Sequence, residues 1–138
     1  MREWMKSLVK QVAAWPGVSS HEHRFGGIEF RLGVREIGHV HSFGIVDIPF
    51  TVKVRDALIR AGRAERHHWL PNSGWTTVHA GEHETANAVA LLRLSYLRIR
   101  MKNEGSEAAA ETAIELLSGT LEHEVLEAAG ISAPALGA

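Results

Sequence analysis

Residues 28–50, which read IEFRLGVREIGHVHSFGIVDIPF, decide the fold. Over residues 28–34 apolar side chains alternate with polar ones or glycine, which is the period of a half-buried strand. Residues 35–41 predict a second strand, and residues 45–50 predict a third that ends or lies on an edge at Pro49. Because the connections between them are too short to cross over to a parallel neighbour, we predict an antiparallel meander.

Helical and extended patterns flank this meander. The predicted elements outside it are a helix over 2–14, a helix over 52–61, strands over 63–70 and 75–80, a helix over 82–101 and a last helix over 107–129. The polar segment 18–23 is interpreted as a connection, and 131–138 as a frayed tail. The order α-βββ-α-ββ-α predicts an α+β fold, a five-stranded antiparallel sheet with helices on one face plus an appended C-terminal helix. We expect a single domain over 1–102 and a helical extension over 103–138.

The composition excludes several classes of function. The 138 residues suffice for one domain with a real core, and a net charge of -1 argues against nucleic acid as the partner. Cysteine is absent, which excludes disulfides and thiolate chemistry. No apolar run reaches the roughly 18 residues of a membrane span, and charged residues interrupt the first helix, so we expect a cytoplasmic protein. The nine histidines are an excess that needs an explanation.

The histidines at positions 39 and 41 are the first candidates for chemistry. Residues two apart on a strand point to the same face, so the two imidazoles are predicted to stand side by side and to offer two nitrogen ligands to a transition metal. A third ligand must come from elsewhere, namely from His67 or His68, His79, His83, or Asp47. We name His39, His41 and His68 as candidate metal ligands. The alternative is that these imidazoles lie on a solvated face or cap packed aromatic side chains.

A carboxylate interrupts the apolar third strand at Asp47. Paired across the hairpin with His39 or His41, it would tune a general base. A structural hydrogen bond to an imidazole or a guanidinium is the other interpretation. The candidate catalytic residues are therefore His39, His41, Asp47 and His68.

A second set of candidate residues lies before, within and after the turn at residues 71–74. Arg66 supplies a planar donor fork that suits a carboxylate or another anion, although a solvated edge explains it equally. Ser73 lacks the strand–turn–helix context of a nucleophile, and Trp75 either lines a pocket or belongs to the core. We name Arg66, Ser73 and Trp75 as candidate ligand-binding residues. The sequence contains no flavin or nucleotide motif, which leaves a transition metal as the cofactor to test.

Several segments resemble the small family labelled luciferase domain, found mainly in bacterial and fungal proteins of unassigned activity. The segments are REIGHVH at 35–41, VDIPF at 46–50, VRDAL at 54–58, GRAERHH at 62–68, PNSGW at 71–75 and LLRLSY at 91–96. The likeness covers about residues 25–98. It implies no catalytic roles and no light emission, because flavin-dependent luciferases are large barrels that this chain cannot form. The order of elements also resembles the YjbR/MmcQ fold, which bears on topology more than on activity.

Three functions remain as hypotheses. The first is a module that binds a small molecule or a protein partner on the open sheet face. The second is a metal-assisted enzyme, a hydrolase or an oxygenase, that uses the histidine cluster. The third is a nucleic-acid adaptor, by analogy with the YjbR-like fold. The Ala/Leu stripe of the last predicted helix would suit a homodimer contact.

Overall fold

The computed structural model describes residues 1–131, without the side chains of Phe25 and residues 106–108. Most of the predicted tail lies outside the described residues. The elements in chain order are α1 (Glu3–Ala13), β1 (Val18–His23), a 3-10 turn (Arg24–Gly26), β2 (Gly27–Leu32), β3 (Arg35–His41), β4 (Ile45–Pro49), α2 (Val52–Arg60), β5 (Glu65–Arg66), β6 (Trp75–His79), α3 (Thr85–Glu104), α4 (Ser106–Leu117) and α5 (His123–Ala128).

The predicted α+β class with an antiparallel sheet is confirmed. The sheet has the order β1-β2-β3-β4-β6-β5, and every neighbouring pair is antiparallel. Strands β2, β3 and β4 form the predicted meander, and β6 pairs with β4 after α2 has crossed between them. The helices cover the face of the sheet that holds the core.

The predicted count of five strands was wrong, because the segment assigned as a connection is the sixth strand. In β1, Val18 pairs with Leu32 and His23 pairs with Gly27. Four of its six side chains are exposed, so no apolar alternation marks it. Backbone hydrogen bonds alone suffice to add such a strand to the edge of a sheet. This correction matters for the site, because the last residue of the strand is a histidine.

Two other element boundaries differ from the prediction. The helix predicted over 107–129 is two helices, α4 and α5, separated by a segment that contains Gly119. The strand predicted over 63–70 is reduced to Glu65–Arg66, and the rest of that segment is an irregular loop. A two-residue strand carries too little periodicity to be distinguished from a loop in sequence.

The core lies between the helices and one face of the sheet. Its fully buried members include Phe30, Val40 and Ile48 from the strands and Leu91 and Leu92 from α3, among other apolar side chains of all five helices. These strand residues alternate with polar ones, so the opposite face of the same strands carries the polar set.

A bulge in β3 changes this alternation at one point. Phe30 pairs with Gly38 and Arg31 pairs with Glu36, so Ile37 is an extra residue in the ladder. Ile37 is buried, and its carbonyl accepts a hydrogen bond of 2.8 Å from the Ser95 hydroxyl of α3. The extra residue places Glu36 on the same face as the histidines that follow.

Glycine is required at position 38 by close packing. A Cβ atom there would lie 2.8 Å from Cδ2 of Leu92 and 2.9 Å from the carbonyl oxygen of Asp47. Helix α3 therefore packs directly on the backbone of β3 between the bulge and the two histidines.

Among the helices that the structure describes, none is long and apolar enough to cross a membrane.

Candidate metal centre

The site is built on a row of polar residues that runs across the open face of the sheet. Glu29 of β2 lies opposite His39 of β3, His39 lies opposite Asp47 of β4, and Asp47 lies opposite Thr77 of β6. Directly opposed residues on antiparallel strands have side chains in contact. His41 is two residues from His39 and shares its face. The strand register therefore concentrates two imidazoles around one carboxylate.

The Asp47 carboxylate is the centre of the group. Its Oδ2 atom lies 3.0 Å from Nε2 of His41, 3.3 Å from Nε2 of His39 and 3.6 Å from Nε2 of His67. Its Oδ1 atom accepts a hydrogen bond of 2.8 Å from the Thr77 hydroxyl. Asp47 is buried, so all of these contacts are made with little competition from water. One atom of each of His39, His41 and Asp47 forms a set within 4.8 Å of one another, as metal ligands require.

The second nitrogen of His39 is also held. Its Nδ1 atom lies 2.6 Å from Oε2 of Glu36. In a regular strand residues three apart face opposite sides, and the bulge at Ile37 is what brings this carboxylate to the open face. His39 is thus oriented from both ends, with Nε2 directed at Asp47.

Asp47 and His39 stabilise the charged forms of each other. Burial by itself would raise the pKa of Asp47, but hydrogen bonds from its imidazole and hydroxyl neighbours outweigh burial and lower the pKa to about 2. Burial would likewise lower the pKa of His39, but the hydrogen bonds to Asp47 and Glu36 outweigh it and raise the pKa to about 9. Without a metal, the pair is therefore a carboxylate and an imidazolium at neutral pH.

His41 differs from His39 in its electrostatic surroundings. Burial lowers the pKa of His41, and its hydrogen bond to Asp47 offsets this only in part. The positive charge of His39 acts in the same direction as burial. The ring of His41 stacks on the exposed ring of Phe43, with centroids 5.0 Å apart. His41 therefore presents a neutral imidazole, the form that coordinates metals.

A further layer of side chains surrounds the group on the β1–β2 side. The ring of His23 stacks on that of His39 at 4.3 Å between centroids. Its Nδ1 atom lies 3.4 Å from Oε1 of Glu29, which also pairs with Arg31. Neither His23 nor Glu29 was predicted as a site residue. The polar composition of β1 hides the strand, so its contact with the site leaves no signal in sequence.

The β5–β6 side of the group is formed by the loop before β6. Trp75 packs against the rings of His39 at 5.6 Å and His67 at 6.1 Å between centroids. The loop is fixed by the buried Arg55 of α2, whose guanidinium donates to the carbonyls of Pro71 at 2.9 Å and Ser73 at 2.5 Å. No pattern in the sequence distinguishes Arg55, because an arginine on a helix is usually solvated.

Three other residues predicted for the site are His68, Arg66 and Ser73. His68 is exposed and lies at the rim of the site, and its neighbour His67 is the residue that approaches Asp47. Arg66 is exposed and donates to the Pro71 carbonyl at 3.3 Å. The Ser73 hydroxyl donates to the carbonyl of Leu70 at 2.7 Å and accepts from the Trp75 amide, so it closes a turn.

A cleft of about 440 Å³ opens onto the group. Asp47, His41 and His67 lie in its floor and walls, together with Thr77. Two exposed aromatic side chains, Phe43 and Trp69, line it. The carboxylate and the imidazoles are therefore reachable by a small molecule, and the surface around them is largely apolar.

One comparison with known proteins bears on this region. Residues 34–95 match the family model described as Luciferase domain. The resemblance to the luciferase-domain family is thereby confirmed for this segment. It contains β3, β4, the loop that carries His67, and β6, and so includes His39, His41, Asp47 and His67. Neither a curated protein nor a solved structure matches the chain, and the likeness to the YjbR/MmcQ fold stays a prediction.

Proposed function

We propose that the open face of the sheet holds a divalent transition-metal ion with His39, His41 and Asp47 as ligands. We further propose that this centre makes the domain a metal-assisted enzyme acting on a small molecule in the cleft. The observation that carries the proposal is the convergence of two imidazole Nε2 atoms on one carboxylate oxygen, at 3.0 and 3.3 Å. Two histidines and one carboxylate are a recurrent ligand set for Zn(II) and for non-heme Fe(II).

The separations between these atoms suit a common metal ion. Ligand atoms about 2.0–2.2 Å from a tetrahedral ion lie about 3.3–3.6 Å from one another. The distance from Asp47 Oδ2 to His39 Nε2, 3.3 Å, falls in this range, and the distance to His41 Nε2, 3.0 Å, is slightly shorter, so the ion would be admitted by side-chain rotations that move His41 outward. The ion would take the place of the proton that His39 carries in the metal-free protein, and the positive charge beside Asp47 would be kept.

The outer partners also support a metal centre. A metal-bound histidine usually donates its other N–H to a carboxylate, which fixes the ring and strengthens the ligand. Glu36 occupies that position at 2.6 Å from Nδ1 of His39. Thr77 holds the second oxygen of Asp47 in the same way. Both ligands are thus oriented before any ion binds.

The cleft supports a catalytic use of the centre. Three protein ligands leave at least one coordination position for water, oxygen or substrate, and such open sites are typical of catalytic metals. His67 has its Nε2 atom 3.6 Å from Oδ2 of Asp47, so it is our candidate for moving a proton during the reaction. The apolar walls favour a substrate with a hydrophobic part.

Metal analysis of the purified protein tests the first half of the proposal. We expect about one Zn, Fe, Co or Ni per chain after reconstitution, and thermal stabilisation of about 2.7 kcal/mol at a metal concentration of 100 Kd. Asp47→Asn should weaken binding by more than about 100-fold, since loss of even an outer partner costs 10–100-fold. His79→Gln is the matched control, because His79 is exposed and pairs only with Glu65 among the described residues. Absence of both stoichiometric metal and stabilisation would refute the centre.

Turnover by the metal-loaded protein tests the second half. Hydrolysis of activated esters and of phosphate esters tests for a hydrolase. Oxygen consumption with an apolar co-substrate tests for an oxygenase. We expect activity that is lost in His67→Gln while the metal remains bound. A metal-loaded protein with no turnover in any arm would instead support a ligand-binding module, for which the cleft of about 440 Å³ is the supporting observation.

A further inference from the structure

A second cavity lies at one end of the sheet, away from the cleft. It has a volume of about 320 Å³ and is bounded by the C-terminal half of α3, the first residues of β3 and the segment that joins β4 to α2. A volume of this size suits a small organic molecule. Among the described residues, its walls share Glu36 and Trp75 with the surroundings of His39.

Three cationic side chains line this cavity. They are Arg35 at the start of β3, and Arg98 and Lys102 on adjacent turns of α3. Among the side chains that the structure describes, none forms an ion pair with any of the three. Arg98 is half-buried, and burial lowers the pKa of its guanidinium, so the charge is partly desolvated without compensation from the side chains that the structure describes.

The other polar groups of the cavity do not neutralise this charge. Glu36 is the one carboxylate among the lining residues that the structure describes, and it is engaged with His39 at 2.6 Å. Thr51 is the N-cap of α2, and its hydroxyl accepts a hydrogen bond from the Val54 amide. The N-terminus of a helix adds a partial positive charge to its surroundings. The lining residues that the structure describes therefore carry more positive than negative charge, which suits an anion.

The rest of the lining is apolar apart from Ser95, whose hydroxyl donates to the Ile37 carbonyl. The apolar lining residues are Pro49, Phe50, Trp75 and Ile99. The Arg98 guanidinium lies 6.0 Å from the centroid of the Phe50 ring, so one arginine borders both the charged and the apolar parts. Arginine is suited to this role because its planar fork binds an oxyanion while its face packs on a ring.

We propose that this cavity binds a small organic anion. The oxyanion, a carboxylate or a phosphate, contacts Arg35, Arg98 and Lys102, and a compact apolar or aromatic body lies against Phe50 and Trp75. The proposal is independent of the metal centre. It therefore predicts binding by protein from which metal has been removed with a chelator.

Amide-resolved NMR titrations of the chelator-treated protein with benzoate, phenyl phosphate, inorganic phosphate and neutral benzamide provide the test. We expect benzoate or phenyl phosphate to bind with a Kd below about 1 mM, and to shift the amides around Phe50 and Arg98. The stronger of the two identifies the head group. Benzamide should bind at least about tenfold more weakly, since charge-assisted bonds to arginine are lost.

Matched variants complete the test. Arg98→Gln and Lys102→Gln should each weaken binding by about fivefold or more. Arg100→Gln is the control, because Arg100 lies on the same helix and pairs with Glu104. Equal effects of the three substitutions, equal binding of benzamide, or inorganic phosphate binding as tightly as the aromatic anions would each overturn the proposal. The same holds if neither aromatic anion binds with a Kd below about 1 mM.

Discussion

The two faces of strand β4 differ completely although they alternate residue by residue. Val46 and Ile48 are fully buried among apolar side chains beneath the helices. Asp47, between them, points to the open face and is surrounded by three imidazoles and a hydroxyl. One strand thus contributes to the core with two residues and to the candidate site with the third. Asp47 is therefore joined on each side, through one peptide unit, to a fully buried residue of the core.

The faces also differ in what stabilises them. The helix face is stabilised by burial of apolar area, which tolerates a change of residue if volume is kept. The open face depends on polar groups that satisfy one another, and the part of the chain described shows no buried side-chain nitrogen or oxygen without a hydrogen-bond partner. Such a network is sensitive to the identity of every member. Substitutions on the helix face should therefore affect folding, and those on the open face should affect binding.

The largest effect is expected for Ile48→Ala. Removal of a fully buried isoleucine should lower the free energy of unfolding by about 2–5 kcal/mol, because it leaves a cavity under α3. Chemical denaturation measures the loss. The affinity of the remaining folded protein for metal should change by less than about threefold. A large loss of metal affinity at unchanged stability would break the division between the two faces.

Gly38→Ala should have the next largest effect. The added methyl group would meet the backbone of β4 and Leu92 within 3 Å, so α3 or the strand must move, at a cost of about 1–3 kcal/mol. Thermal unfolding measures it. Gly33→Ala is a useful comparison in which the strain comes from a positive φ and not from contact, since nothing lies near its Cβ position. Unchanged stability of the Gly38 variant would contradict direct packing of the helix on β3.

Glu36→Gln should sharpen the assignment of the open face. Its carboxylate holds Nδ1 of His39, so the substitution should weaken metal binding by about 10–100-fold without abolishing it. Competition with a chromophoric chelator gives the affinity. Glu65→Gln serves as the control, since Glu65 is exposed and pairs with His79 outside the centre. Equal affinities for the two variants would remove Glu36 from the set of outer partners.

The smallest effect concerns the pH dependence of stability in metal-free protein. Carboxylates of Glu36 and Asp47 face the two nitrogens of His39, and the rings of His23 and His41 pack against it. Because the pKa of His39 is raised to about 9 from 6.5, its contribution to stability is full below pH 6.5 and is lost as the pH rises through about 9.

Denaturation with a chelator present, at several pH values across this window, measures the loss. Partial exposure of the group to solvent keeps the effect small. The variant His39→Gln should show a flatter profile over the same range. A wild-type stability that increases between pH 6.5 and 9 would contradict the sign of the shift.

Much of the fold was accessible from sequence because it depends on local periodicity. Alternation over residues 28–34 and the short connections after it predict the meander, and α3 follows from its apolar stripe. β1 was missed because an exposed edge strand needs only backbone pairing. The single C-terminal helix was wrong because its two halves pack separately, α4 on α3 and α5 on α2.

The candidate site could be predicted only in part, because local periodicity places some of its residues and not others. Strand period and hairpin length bring His39, His41 and Asp47 together, and the structure has them within contact distance. Selection of His67 over His68 depends on the path of an irregular loop held by Arg55. No periodic pattern encodes that path.

The sequence by itself determined which residues alternate, and therefore which side chains of β3 and β4 share a face. That information is local, since it depends on the two-residue repeat of a strand and on turn length. The tertiary structure decided the rest: the bulge that turns Glu36 toward His39, the edge strand that stacks His23 on it, and the cations that α3 brings to the second cavity. These features depend on contacts between segments far apart in the chain, whose energies are set by packing and not by periodicity.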